Sequence, residues 1–294
     1  MGDDCALLRP DAGAELAVTT DMLVEGRHFL PGAEPRALGH KALAVNLSDL
    51  AAMGAAPRWA TLSLALPHVD DAWLAAFSQG FFALAERHGV DLIGGDTVRG
   101  QVLTLSVTAI GEVPAGLALY RGGAKPGDDV WVSGELGGAA LALAHPEIAE
   151  AARRLHQPEP RVELGERLRG LAHAAIDVSD GLAGDLQHVV TRSGVSAIVD
   201  YDRIPRPSAF HQLDDSELEK HCVLSGGDDY ELVFTAAAER RGDLEALSRE
   251  LGIVLSRIGR IAPGGPKLTV LDAAGRPLAL RGGFDHFGET RLGR

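Results

Sequence analysis

The sequence predicts an α/β (α+β) protein built from two α/β domains. Three observations carry that expectation. Strand-like and helix-like segments alternate in both halves of the 294-residue chain, the pattern of sheets layered with helices. The composition shifts at Pro114: Gly116, Gly122, Gly123, Pro126 and Gly127 make a loop-rich crossing, so the domains are drawn as residues 1–113 and 114–294. The stretch from Pro35 to Gly54 reads as a helix apolar on most sides, which is the mark of a buried helix. A hydrophobic content of 46% is enough for real cores.

The elements follow in order. Residues 15–20 read as a short strand delivering Asp21 at its end, followed by a loop with His28 and Phe29 closed by Pro31-Gly32. Pro35 suits the first turn of the apolar helix, and Gly54 suits a left-handed cap at its end. Leu38, Ala42, Val45, Asp49 and Ala52 recur at helical spacing, with Leu43, Leu47 and Leu50 as a second apolar stripe. Asp49 is the only carboxylate between Gly39 and Gly54. Burying it unpaired is costly, so the fold must bring it a cation, a donor network or a metal. A purely structural Asp, satisfied by backbone N–H groups or an Arg, is the competing reading of this stretch.

Residues 58–66 alternate as a strand. Asp70 or Asp71 caps a helix running to His88, which Gly89 ends. Residues 91–97 read as a strand breaking into a tight Gly94-Gly95 turn that presents Asp96, and residues 101–113 as a further strand. In the second half, residues 129–133 read as a strand, 134–145 as a Gly-rich turn feeding a helix, and 161–173 as a helix. Residues 174–178 form a strand ending in Asp177-Val-Ser-Asp-Gly181, and the following helix turns Leu182, Leu186 and Val189 inward. Residues 195–201 read as a strand, and residues 225–231 as a second glycine turn with acids leading into the strand 232–235. A helix at 243–251 and strands near 253–261 and 267–272 complete the pattern.

Several classes are excluded. The net charge of −13 argues against a nucleic-acid partner. No apolar run reaches membrane-spanning length and no signal-peptide pattern opens the chain, so a cytoplasmic location is expected. Cys5 and Cys222 have neither metal-binding nor redox spacing. Walker A, G-x-G-x-x-G, H-E-x-x-H and G-x-S-x-G motifs are all missing.

What recurs is a carboxylate at a strand end or glycine turn: Asp3/Asp4, Asp21, Asp96, Asp177/Asp180 and Asp228/Asp229, with Asp49 on the helix. Each alone fits an ordinary turn residue. As a set, gathered at one sheet end, they would repel one another unless cations stood between them. Hard oxygen donors without His or Cys suit Mg²⁺, which favours one or two carboxylates together with phosphate oxygens. Thr19, Thr20 and Ser179 would add neutral oxygens. The inventory points to phosphoryl chemistry, with several ions around a polyphosphate and no P-loop.

The segments Gly2-Asp-Asp-Cys-Ala, Thr19-Thr-Asp-Met-Leu-Val-Glu-Gly-Arg-His-Phe29, Ala44-Val-Asn-Leu-Ser-Asp-Leu-Ala-Ala-Met-Gly-Ala55, Gly94-Gly-Asp-Thr97, Ile176-Asp-Val-Ser-Asp-Gly-Leu182 and Leu224-Ser-Gly-Gly-Asp-Asp-Tyr-Glu-Leu232 resemble the thiamine-monophosphate kinase family. That family sits in a wider group with aminoimidazole ribonucleotide synthetase and selenophosphate synthetase. The resemblance covers essentially the whole chain, and its family-specific part ends in His28-Phe29. It implies ATP-dependent phosphorylation of thiamine monophosphate to thiamine diphosphate. It also implies an N-terminal sheet that pairs with a second subunit's to form a barrel, and a C-terminal sheet covered by helices.

By the same resemblance, Asp4, Thr19, Thr20, Asp21, Asp49, Asp96, Asp177 and Asp180 would hold Mg²⁺, with Asp49 bridging ions. Gly95, Asp96, Arg121 and Ser179 would contact ATP, and Asp49, Asp96 and Arg121 would carry the catalysis. His28, Asp228 and Phe284 would face thiamine monophosphate. The sequence departs from the family twice: a helical segment usually precedes Gly2, and the usual acid at position 228 is Glu. Another ATP-using enzyme of the group, such as a selenophosphate synthetase, and a catalytically dead binding module are the alternatives.

Overall fold

The computed structural model describes residues 4–280. The first sheet holds β1 (Ala14–Val24), β2 (Ala56–Leu66), β3 (Asp91–Arg99) and β4 (Thr104–Pro114) in the order β1-β4-β2-β3. β4 is antiparallel to β1 and β2, whereas β2 and β3 are parallel and joined through α2 (Asp71–His88). Between β1 and β2 the chain forms α1 (Pro35–Ala52).

The second sheet contains β5 (Asp129–Ser133), β6 (Ala172–Asp177), β7 (Ser196–Asp200), β8 (Leu232–Ala236), β9 (Leu255–Ala262) and β10 (Lys267–Leu271), in the order β10-β7-β9-β5-β8-β6. Its helices are α3 (Gly138–Ala144), α4 (Ala149–His156), α5 (Val162–Leu168), α6 (Leu182–Ser193), α7 (Phe210–Leu213), α8 (Ser216–Ser225) and α9 (Arg241–Leu251). No helix among the described residues is long and apolar enough to cross a membrane.

The alternation of side chains along the second sheet explains why α1 is apolar all round. Trp131, Ala175, Leu232 and Phe234 point to one face and join a core that also contains Leu43, Leu47 and Leu50 of α1 and the inner residues Leu105, Val107 and Ala109 of β4. Val130, Val132, Ala174, Ile176 and Val233 point the other way, into a second core with α3, α6 and α8. The helix is thus packed between two sheets, and both of its stripes are buried.

Two glycine contacts let the neighbouring helices close on it. A Cβ at Gly80 of α2 would stand 1.8 Å from the Arg36 carbonyl oxygen, and one at Gly165 of α5 would stand 2.0 Å from the Ala51 carbonyl oxygen. Only glycine permits backbones to approach so closely.

The α2 boundaries follow the sequence signals. The Asp70 carboxylate accepts the Ala72 and Trp73 N–H groups at 2.9 and 3.1 Å, and Gly89 closes the helix at φ 64°. Four expectations need correction. Strand β1 runs from Ala14 to Val24, so Asp21 lies within it and not at its end. Strand β3 runs through Gly94 and Gly95 without turning, because a Cβ at Gly95 would meet the Leu62 carbonyl oxygen at 1.9 Å. These glycines serve close strand contact beside a register shift between Ala60 and Thr61. The predicted helix over 161–173 ends at Leu168, and β6 begins at Ala172. Helices α4, α7 and α8 were not expected: they are short, and α4 buries only Ala151 and Leu155.

Candidate active site

Helix α1 carries three polar side chains that each pin a different part of the site. Asn46 is fully buried; its Oδ1 accepts the Asp21 backbone N–H at 3.1 Å, and its Nδ2 donates to the Ala42 carbonyl at 3.1 Å. The Ser48 hydroxyl donates to the Asp177 carboxylate at 2.8 Å, at the end of β6. Asp49 accepts a short hydrogen bond from the Thr19 hydroxyl on β1. Successive helical positions turn by about 100°, so this trio reaches β1 and β6 at once. Both are edge strands of their sheets, and the cleft opens between them.

That cleft encloses about 1050 Å³ and is lined by Asp21, His28, Asp49, Asp177, Ser179, Asp180 and Asp228, among others. Its opposite wall is less polar, with Ala140 and Leu143 of α3 and Leu218 of α8. The acids raise one another's proton affinity. Burial, then the charges of Asp49 and Asp180, push Asp21 up to about 6. Burial raises Asp49, against the opposing effects of the Thr19 hydrogen bond and Arg121. Asp177 is raised by its burial and by the Asp49 charge. The site therefore holds more negative charge than its own cations offset.

The acid turn after β6 is braced from behind. The Asp185 carboxylate, buried on α6, accepts the Ser179 and Asp180 N–H groups at 3.1 Å each. The 228–231 segment lies against the same turn: the Asp228 N–H donates to Ser179 O and the Tyr230 N–H to Val178 O, both at 2.9 Å. A Cβ at Gly227 would approach the Ser179 carbonyl oxygen to 2.3 Å, so this glycine allows the two turns to touch. Asp229 faces away, accepting the Gly137 N–H at 2.7 Å and thereby capping the approach to α3. In the N-terminal half, His28 Nδ1 accepts the Val24 N–H at 3.0 Å, which leaves Nε2 as the N–H donor of a neutral ring.

Other expected residues lie elsewhere. Thr20 points to the opposite face of β1 from Thr19, bonded to Val107 O and the Thr108 hydroxyl, because side chains alternate along a strand. Asp4 is exposed and is not part of the cleft lining. Gly95 and Asp96 are on β3, the far edge strand. Asp96 pairs with Ser63, which pairs with Ser106, which pairs with Met22, so it sits in the cleft's row of the sheet but roughly 14 Å across it. It is exposed on the outer face, with its carboxylate accepting the Thr97 N–H at 2.8 Å. Arg121 does not line the cleft, yet its charge lowers Asp49, Asp177 and Asp185. It follows Tyr120, whose carbonyl accepts the Ala175 N–H of β6 at 3.0 Å. Phe284 lies outside the described residues.

The sequence reading passed over Lys41, Asn46, Ser48, Asp185 and Tyr230. The signal was present for three of them: a helix buried on every side cannot carry a polar residue idly. That logic was applied to Asp49 and holds equally for Lys41, Asn46 and Ser48. Asp185 and Tyr230 gave no comparable signal, since their roles depend on which loops pack together.

Among the described residues, no three acidic, histidine or cysteine side chains converge into a ready-made cation cage. The donor set still fits Mg²⁺, which prefers a few carboxylates plus water and substrate phosphates over an all-protein cage. Crowded, charge-raised carboxylates are the chemistry such an ion relieves.

Residues 2–113 match the family described as AIR synthase related protein, N-terminal domain, and residues 125–270 match its C-terminal domain. A thiamine-monophosphate kinase of Salmonella typhimurium is 45% identical over 298 residues, covering 98% of this chain and 91% of that protein. The chain belongs to the thiamine-monophosphate kinase family. A crystal structure of thiamine-monophosphate kinase from Stenotrophomonas maltophilia superposes with a TM-score of 0.87 at 50% identity, covering 92% of this chain and 89% of that one. A structure described as AaThiL complexed with AMPPCP and TMP superposes at 0.82 with 31% identity, covering 98% and 92%. The family likeness therefore takes in both sheets and both walls of the cleft.

Proposed function

We propose that this chain transfers the γ-phosphate of ATP to thiamine monophosphate, giving thiamine diphosphate, in the cleft between β1 and β6. The observation that carries this reading is chain-wide: 45% identity to a thiamine-monophosphate kinase across both sheets whose edges form the acid-lined cleft. The acceptor is a phosphate oxygen, already an anion at neutral pH, so the reaction needs no general base. What remains for the chain is to align donor and acceptor and to balance charge.

In this reading Asp21, Asp49, Asp177 and Asp180 hold Mg²⁺, Thr19 orients Asp49, and Ser179 and Arg121 contact ATP. When bound, Mg²⁺ would neutralise the polyphosphate and organise its oxygens. His28 and Asp228 face the thiamine phosphate. Asp4 and Thr20 are proposed ligands that reach the site only with local rearrangement. ATP use also places the activity in the cytoplasm. The direct test is ADP release with and without thiamine monophosphate. Release that depends on it supports the reading; release without it points to another ATP-using enzyme, and no turnover at all to a binding module.

The proposal includes a homodimer through the first sheet. Leu16, Val18, Met22 and Val98 are exposed on its outer face, the kind of apolar surface that a second copy covers. In such a dimer Asp96, on that same face, and Gly95 beside it in the strand would serve nucleotide across the subunit boundary and not within their own chain. Sedimentation at micromolar concentration is expected to give twice the chain mass of 30.9 kDa. A fully active monomer would contradict the arrangement.

A further inference from the structure

Lys41 lies on α1 two turns before Asp49, with its side chain only 4% exposed, and its ammonium stands 2.9 Å from the Asp228 carboxylate. An ammonium so enclosed requires a counter-charge. Asp228 supplies it from the other half of the chain while leaving 31% of its own side chain exposed at the cleft. Its second carboxylate oxygen accepts the Tyr230 hydroxyl at 2.8 Å. Both residues hold left-handed backbone conformations rare for side-chain-bearing residues, with φ 66° at Asp228 and 52° at Tyr230. Such conformations persist only where surrounding contacts fix them. Here the fixing contacts are the Lys41 ion pair, the Tyr230 hydroxyl and the two backbone bonds to Val178 and Ser179.

We infer that Lys41 is a positioning residue for the substrate end of the cleft, clamping Asp228 and the 227–230 turn against the acid turn at Ser179. The inference rests on the proposed reading of Asp228 as facing thiamine monophosphate, and it sharpens that reading chemically. A carboxylate already paired with a buried ammonium offers little uncompensated charge. It still has lone pairs free to accept. Asp228 therefore recognises the aminopyrimidine through a hydrogen bond from its amino group, and is not a counter-ion for the thiazolium. The shorter Asp suits this role, because it keeps the carboxylate within reach of Lys41 at the base of the cleft.

The test is a cycle of Lys41→Met, Asp228→Asn and the double variant, with thiamine monophosphate binding measured by calorimetry beside KM for ATP and the melting temperature. Lys41→Met is expected to weaken thiamine monophosphate binding at least about tenfold while KM for ATP stays within about threefold. The double variant has no unpaired buried charge; it is expected to recover the melting temperature without recovering the affinity. It also serves if Lys41→Met does not fold. A clamp that is only structural would move the melting temperature and leave binding within about twofold of wild type, which would overturn the inference. A parallel loss of affinity for both substrates would overturn it too. Failure of the wild-type protein to bind thiamine monophosphate would instead contradict the activity, and the inference would fall with it.

Discussion

Asp49→Asn is expected to lower kcat/KM at sub-saturating Mg²⁺ by at least about 100-fold, in the range seen when one charge-stabilising group is removed from a phosphoryl- or acyl-transfer site. The fold should survive. Asn keeps the shape of Asp, and its carbonyl oxygen can take over the Thr19 hydroxyl bond. The charge it loses is one that burial already disfavours and that raises the proton affinity of Asp21 and Asp177. The melting temperature of the ligand-free variant should equal or exceed that of wild type, as is common when a functional site's repulsion is relieved. Steady-state kinetics over a Mg²⁺ titration, with a thermal melt on the same preparation, checks both parts. Wild-type activity at low Mg²⁺ would make Asp49 a structural residue only.

The largest stability effect is expected at Glu231, which follows the substrate turn but serves the scaffold. Its carboxylate is buried and accepts Arg161 Nε and Nη2 at 2.7 and 2.5 Å and the Ser133 hydroxyl at 2.5 Å. Burial opposes the Arg161 charge, but the Glu231 hydrogen bonds and charge outweigh it and raise its pKa. Glu231→Ala removes one partner and leaves Arg161 largely enclosed, a change that costs about 3–5 kcal/mol. The melting temperature should fall by roughly 10 °C. Exchanging both partners for apolar residues, Arg161→Met with Glu231→Leu, should recover most of that loss. A single variant as stable as wild type would show that the pair contributes nothing to the fold.

The same contrast shows how far the sequence reached. The helix at Pro35, its Gly54 end and the Asp70–Gly89 helix were legible because caps and apolar spacing are local signals. The placing of Asp49, Asp177 and Asp180 in the cleft was legible too, since a strand end and a buried helix leave few places for carboxylates; Asp21 reaches the same cleft from within β1 and not from its end. Asp96 was not, because its position depends on strand order and on which face of β3 it occupies, and neither is encoded nearby in the chain. The Gly94-Gly95 pair was misread for a related reason: glycine marks a turn or a close approach equally well, and only the neighbouring strand β2 decides between them. Lys41 was passed over because its partner, Asp228, lies 187 positions away.

The most direct measurement of the central claim is chromatographic detection of the product when ATP and Mg²⁺ are supplied with thiamine monophosphate or with unphosphorylated thiamine. Direct attack by the substrate's phosphate oxygen predicts thiamine diphosphate from the first and little product from the second. Equal or faster phosphorylation of free thiamine would mean that a hydroxyl is the nucleophile, and would contradict a cleft that works without a general base.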